Sequence, residues 1–347
     1  MSLEPQVNPT PSLAPMGDGA VEAVESLMIR LAAGQHLERC GAMVVEHLTT
    51  GGKRIRARLA MAATAALGGD ARDGVAWAAA CELLHNASLV HDDLQDGDRM
   101  RRGAATLWVR HGAAQAVNAG DLLLMLPTLA LDDMTADPGV RWYLSRALAE
   151  YAADTVRGQS LEMTLLDSRR FEWSDYLRAV DGKTAGFFAL PIFGAAMLGG
   201  RSVREARALA MEFARIGRLF QIQDDVIDLY GEKGREAVGA DLREGKVSAL
   251  VVEHLHLYPD DEAWLVNILA TPRDETSEKQ VKQAIRKFRD GGALEEVLDR
   301  IYKLASATYQ SSVLDDEPAL RAVAIATLEK VLTGVRRIEP SLPRDRL

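Results

Sequence analysis

The sequence predicts an all-α protein, and three observations carry that prediction. Ala and Leu dominate long tracts while aromatic residues supply only 5% of the 347 positions, a mixture that favours packed helices over sheets. From Gly19 onward apolar residues recur at spacings of three and four, the period of a helix. No run of β-branched alternation is long enough to build a sheet.

The elements follow in order. The opening "MSLEPQVNPTPSLAPMGD" holds four prolines and neither a basic cluster nor a long apolar core, so residues 1–18 read as a disordered arm and not as a signal peptide. Helical tracts come next, each closed by a break rich in Gly, Pro or Asp. The breaks fall at "TTGGKR" (49–54), "LGGDARDG" (67–74), "DGDRMRRGAA" (96–105), "MTADPG" (134–139), "LDSRRFEW" (166–173), "LGGRS" (198–202), "YGEKGREAVGADLREGK" (230–246) and "LDDEPA" (314–319). They divide the chain into ten or more helices, several of twenty residues or longer, with connections too short for an independent linker. Residues 19–347 therefore read as a single helical domain.

A net charge of −9 with pI near 5.4 argues against a nucleic-acid or anionic-membrane surface, so an anionic substrate must be met locally. Cys40 and Cys81 stand 41 positions apart without metal-ligand spacing, as buried thiols in a reducing cytoplasm do. The longest apolar run, Leu122 to Leu131, is ten residues and contains Pro127, about half of a membrane span. A cytoplasmic protein without stable membrane insertion is expected.

Two acidic stripes carry the functional reading. In "HDDLQD" Asp92 and Asp96 are four apart, on one helical face, with Asp93 about 100° around. In "FQIQDDVIDLYG", Gln221, Asp224, Asp225 and Asp228 form a second stripe at spacings 0, 3, 4 and 7. Both sit beside apolar sequence, where lined-up carboxylates repel one another and resist burial. A hard divalent cation relieves this, and an all-oxygen ligand set favours Mg²⁺ over zinc. "LDDMTAD", with Asp132, Asp133 and Asp137 before Pro138, has the wrong spacing and reads as surface.

Cations complement the stripes. "GGKRIR" places Lys53, Arg54 and Arg56 at a glycine-loosened helix start; "RMRRG" adds Arg101 and Arg102; Lys183 and Lys246 stand in turns, and His85 lies two helical turns before Asp92. Together they suit a polyphosphate bridged by Mg²⁺ to carboxylates and held directly by Arg and Lys.

From "GGKRIR" through "HNASLVHDDLQDGDRMRRG", "AGD", "GQSLE", "GKTA" and "FQIQDDVID" to "GADLREGK", the chain resembles the trans-isoprenyl diphosphate synthases of the polyprenyl synthetase family. The resemblance implies an isoprenoid synthase fold around a central cavity and a homodimer. It assigns Asp92, Asp93, Asp96, Asp224, Asp225 and Asp228 to three Mg²⁺ ions and the allylic diphosphate. It places Lys53, Arg56, His85 and Arg102 on isopentenyl diphosphate, and Arg101, Lys183, Thr184, Gln221 and Lys246 on the allylic substrate and its leaving group. Ala57 and Ala105 stand where the family often has Pro, and Arg235 where a lysine is common. The implied activity is Mg-dependent head-to-tail condensation to an all-trans polyprenyl diphosphate.

The chemistry needs a stabilised leaving diphosphate and a dry, oriented pocket for the allylic cation. Product length is read back along the helix from Asp92, where one turn rises about 5.4 Å, close to one isoprene unit. Ser88 and Ala87 are small where short-chain members tend to carry an aromatic; Leu84 follows, then Ala80 and Cys81, then Trp77 as the first bulky group. The expected product is C20 (geranylgeranyl) or longer, with C15 (farnesyl) as the alternative and Met125 or Leu126 as an earlier floor. A class I terpene cyclase or head-to-head synthase, and a regulatory subunit of a heteromeric synthase, are the competing readings.

Overall fold

The computed structural model describes residues 18–36, 38–231 and 238–338. The chain is all-α. The arm over 1–18 lies outside the described residues except for Asp18, which opens the first helix, and so does Arg235.

Helix α1 (Asp18–Ala33), α2 (Arg39–Thr49) and α3 (Ile55–Ala66) precede the central α4 (Ala71–Gln95). Asp70 starts α4 by accepting the free N–H groups of Arg72 and Asp73, the ordinary N-cap solution. Its run of small residues, Ala76 and Ala78 to Ala80, is fully buried, which lets α3, α6 (Ala113–Ala130) and α9 (Gly186–Leu198) pack closely around it. Trp77 is fully buried, donates Nε1–H to the Pro191 carbonyl at 3.0 Å, and lies flat on Gly194, where a Cβ would come within 1.9 Å of the indole. Burying an apolar side chain of this size contributes about 1.5–3 kcal/mol.

Between α4 and α6 lie a hairpin and α5 (Leu107–His111). The hairpin pairs β1 (Met100–Arg101) with β2 (Ala104–Ala105), strands the sequence reading missed. Its turn residues Arg102 and Gly103 both have positive φ, 53° and 79°, as a two-residue hairpin turn demands. Asp137 caps α7 (Pro138–Thr164), Asp133 pairs with Arg30, and Asp132 is exposed, so this acidic cluster is surface as expected.

After α8 (Trp173–Val180) the chain makes one π turn, Asp181–Ala185, and enters α9. Helix α10 (Val203–Tyr230), opened by a Ser202/Glu205 capping box, packs on α9, α15 (Ala293–Tyr309) and α16 (Pro318–Ile338). Helices α11 (Ala240–Arg243), α12 (Ala249–Leu257), α13 (Glu262–Leu269) and α14 (Glu278–Asp290) complete the α10 side. One continuous apolar core joins both central helices.

Candidate active site

The C-terminal end of α4 and that of α10 face each other across a cavity of about 200 Å³. From α4 come His85, Ser88, Leu89, Asp92 and, at the C-cap, Asp96; from α10 come Phe220, Gln221, Asp224 and Asp225. The spacings i, i+3, i+4 and i+7 are why one face of each helix supplies the wall. The π turn adds Lys183 and Thr184, and the segment after α11 adds Lys246. Gly182 brings that turn against α7, since a Cβ there would stand 2.6 Å from the Asp154 carbonyl and 2.8 Å from Gly158. A wider mouth, lined by the 96–103 hairpin loop, Arg243, Glu244 and Arg273, opens beside the cavity.

The acidic side is cross-braced by lysines. Lys246 bonds Asp96 at 2.9 Å and Glu244 at 2.7 Å, while Lys183 bonds Glu162. Burial opposes the charge on Lys246, but Asp96, Asp241 and Glu244 outweigh it and hold its pKa well above the usual value. Burial pushes Asp92 up to about 6, with Asp96 and Glu162 adding to the push and Lys183 and Lys246 opposing it. Asp225 is also raised by burial to about 6, against three hydrogen bonds. Those come from the Tyr176 hydroxyl at 2.7 Å, the Gln221 amide at 2.9 Å and the Ala249 N–H at 2.7 Å.

The other end is basic. Arg56, His85 and Arg101 reach the wall, and Arg102 stands just outside it with its guanidinium on the Gly51 carbonyl and over Gly52. Gly52 has φ 138°, a conformation that L side chains rarely adopt, and the Arg102 guanidinium packs over its bare Cα. Burial, then Arg56, Arg102 and Arg101, drive the His85 pKa well below its ordinary value, keeping the ring neutral. Its Nδ1 is buried without a partner, and its ring meets Phe187 edge-on at 5.2 Å. Phe187 and Phe220 are the aromatic part of the lining.

Several expected residues stand elsewhere. Asp93 is buried behind the wall, bonded to Arg101 at 2.5 Å, because one residue beyond Asp92 rotates it about 100° out of the stripe. Asp228 is likewise buried off the wall, accepting the Asp241 N–H at 3.1 Å. Lys53 is exposed and off the wall, and Arg54 is structural, buried against Glu25 and the Leu48 carbonyl. Of the chain-length set only Ser88 lines the cavity; Ala87, Leu84 and Trp77 are buried in helix contacts. Met125 is 63% exposed and points away from any floor, whereas Leu126 is buried.

Glu162, Tyr176, Asp241 and Glu244 line the cavity without having been singled out in the sequence. Glu162 and Glu244 lay inside quoted motifs; Tyr176 had no signal of its own. Among the described residues no three carboxylate, imidazole or thiol groups stand close enough to hold an ion by themselves. The donor set nevertheless fits Mg²⁺, which takes one or two carboxylates per ion and completes its shell with water and substrate phosphate. Asp92, Asp96 and Asp224 are the carboxylates placed for it.

Comparison with known proteins finds similarity along most of the chain. Residues 38–288 match the polyprenyl synthetase family model. The chain is 34% identical to the short chain isoprenyl diphosphate synthase of Methanothermobacter thermautotrophicus over 81% of this chain and 86% of that one. It is 33% identical to the geranylgeranyl diphosphate synthase of Mycobacterium tuberculosis over 78% of each. The crystal structure of polyprenyl synthase from Caulobacter crescentus CB15, complexed with calcium and isoprenyl diphosphate, superposes with a TM-score of 0.78 at 25% identity, covering 91% of this chain and 96% of that one.

Proposed function

The chain belongs to the polyprenyl synthetase family, and from that premise we propose that it joins isopentenyl diphosphate to an allylic diphosphate, with three Mg²⁺ ions, to give an all-trans product of C20 or longer. The protein is a prenyltransferase acting head to tail. One observation carries the assignment to this cavity: facing acidic stripes at one end and Arg56, His85 and Arg101 at the other make room for two diphosphates of different function.

Asp92, Asp96 and Asp224 would hold Mg²⁺, which would supply charge neutralisation for the departing diphosphate. Lys183, Lys246 and Gln221 bind that diphosphate's oxygens directly as charge builds on them. Asp225, fixed by Tyr176 and Ala249, orients the α10 wall. Arg56 and neutral His85 hold the second diphosphate so that its double bond meets the allylic carbon. Phe187 and Phe220 exclude water while a cation exists there. The proton lost after coupling goes to the released diphosphate.

Length beyond C15 is supported by Ser88, a small residue on the cavity wall where a bulky one would close the space early. A cyclase has no second diphosphate to hold, so Arg56 and His85 favour the synthase. Incubating purified protein with isopentenyl diphosphate, Mg²⁺ and each allylic primer, then sizing the dephosphorylated products, tests both parts. No isopentenyl incorporation ends the assignment, and a product that stops at C15 ends the length reading.

A homodimer belongs to the same proposal. Val117, Met125 and Leu129 on α6, and Trp142, Val156 and Met163 on α7, expose apolar side chains, the α7 set at multiples of seven as a helix seam requires. Ala113–Asp133 is long and apolar enough to span a membrane, and 44% of its most apolar 18-residue window is buried in the fold; a second copy covers the rest. Light scattering should give twice the 37.8 kDa chain mass, and a monomer at micromolar concentration refutes it.

A further inference from the structure

Helices α12 and α14 enclose a groove of about 930 Å³ on the α10 side, apart from the prenyl-transfer cavity. Lys279, Lys282 and Arg286 follow one another at i, i+3 and i+7 along α14, so one helical face carries all three over roughly 10 Å. The groove's own carboxylates are already engaged: Glu278 by Arg243, Asp261 by Lys287 and His254, and Asp290 by Arg289. Among the described residues Lys279, Lys282 and Arg286 have no such partner. On a chain of net charge −9, three unpaired cations in one concavity are a local reversal of the overall field.

One aromatic cluster shapes the inner wall. His254, on the groove's inner wall, is 2% exposed; its Nε2 meets Asp261 at 2.9 Å while its Nδ1 is buried without a partner. The ring is fixed between Tyr258, Trp264 and Phe288, with centroids 5.2, 6.0 and 5.1 Å away. With Nε2–H on the Asp261 carboxylate, Nδ1 carries the lone pair and is no donor to an anion; His254 shapes the wall, and the three cations carry the charge that a ligand meets. The groove's volume lies in the range of small-molecule sites.

We infer that the α12–α14 groove is a second anion-binding site, taking a small molecule with a chain of two or more phosphates. Extended phosphate oxygens match cations spaced along a helix, and each contact is a charge-assisted hydrogen bond. A phospholipid surface presents the same groups, so the test separates a soluble polyphosphate from a lipid headgroup.

Sodium tripolyphosphate is titrated calorimetrically into the full chain in the presence of Mg²⁺ at fixed ionic strength, alongside a Lys282→Glu/Arg286→Glu variant whose melting and metal-supported prenyl transfer match the parent. The expected result is two binding events in the parent and one in the variant, the lost event weakened at least about tenfold. Identical isotherms overturn the site. Sedimentation with vesicles of anionic phospholipid supplies the other arm: capture of the parent but not the variant, together with a single tripolyphosphate event, overturns the soluble-ligand assignment in favour of a membrane.

Discussion

Asp92 and Asp224 face one cavity from helices that meet only in the folded chain. Replacing either with Ala should cut turnover at least about 100-fold while leaving the circular dichroism spectrum unchanged; near-parental rates would remove them from the mechanism. Ser88 and Ala87 separate in the same way. Ser88→Phe puts a ring on the cavity wall and should shorten the product, whereas Ala87→Phe overpacks a fully buried position and should cost about 1–3 kcal/mol of stability. Product sizing and urea unfolding of the two variants distinguish them, and a shortened product from a stable Ala87→Phe protein would reverse the assignment.

His47 gives a pH prediction away from the ligand carboxylates. Burial, then Arg102 and Arg101, lower its pKa from 6.5 to about 4, and Nε2 sits 3.1 Å from the Asn86 amide oxygen. Above pH 6.5 the group is neutral in both states and contributes nothing. As pH falls from 6.5 toward 4 the unfolded chain takes up a proton that the folded protein refuses, so stability is lost. Compared with His47→Gln, the parent should lose roughly 2 kcal/mol more between pH 7 and pH 4.5; parallel urea curves at the two pH values would show that His47 does not titrate this way.

Asp92 with Asp96, and Gln221 with Asp224 and Asp225, were readable in the sequence because helical phase is local: spacings of three and four fix a common face before any tertiary contact exists, whereas Asp228, seven beyond Gln221, turns to the Asp241 N–H and off the wall. The same rule, applied strictly, takes Asp93 and Ala87 off that face. Tyr176 was not readable, since its bond to Asp225 joins α8 to α10 across 49 positions and no local pattern encodes such a pairing.

Among the elements, the π turn Asp181–Ala185 departs furthest from a regular helix. It inserts an extra residue into the ladder and aims Lys183 at the cavity, and it can lie against α7 only because Gly158 and Gly182 both lack a Cβ. Gly182→Ala should therefore cost about 1–3 kcal/mol and lower turnover by displacing Lys183. A variant of unchanged melting temperature and rate would show that the contact relaxes freely. The sequence puts Lys183 in a turn but not the winding of that turn, because Gly-Lys-Thr reads equally as a loop, and the break pattern passes over this joint. The 100–105 hairpin escaped for a related reason: two-residue strands are too short to show alternation, and positive φ at Arg102 is paid for by contacts far along the chain.

For the whole molecule, class and helix order follow from composition and periodicity, since α4 and α10 are long enough for local preference to dominate. What periodicity does not carry is which helix faces which. The pairing of the two acidic ends depends on small residues under Trp77 and around Gly217, where a Cβ would sit 2.8 Å from Ala185. Such close approaches are properties of the packed state.

The bond from Lys246 to Asp96 ties together positions 150 apart. It works as a rivet that keeps the two halves of the cavity wall in register. On the proposed function, pyrophosphate with Mg²⁺ would put a stronger fastening in place of the weaker one and make heat resistance a function of ligand supply. The midpoint of melting should climb with the logarithm of pyrophosphate concentration in the presence of Mg²⁺, reaching about 2.7 kcal/mol of added stability at 100 times Kd. It should stay nearly flat with either component alone, and equal shifts without the metal would mean that the walls never needed it.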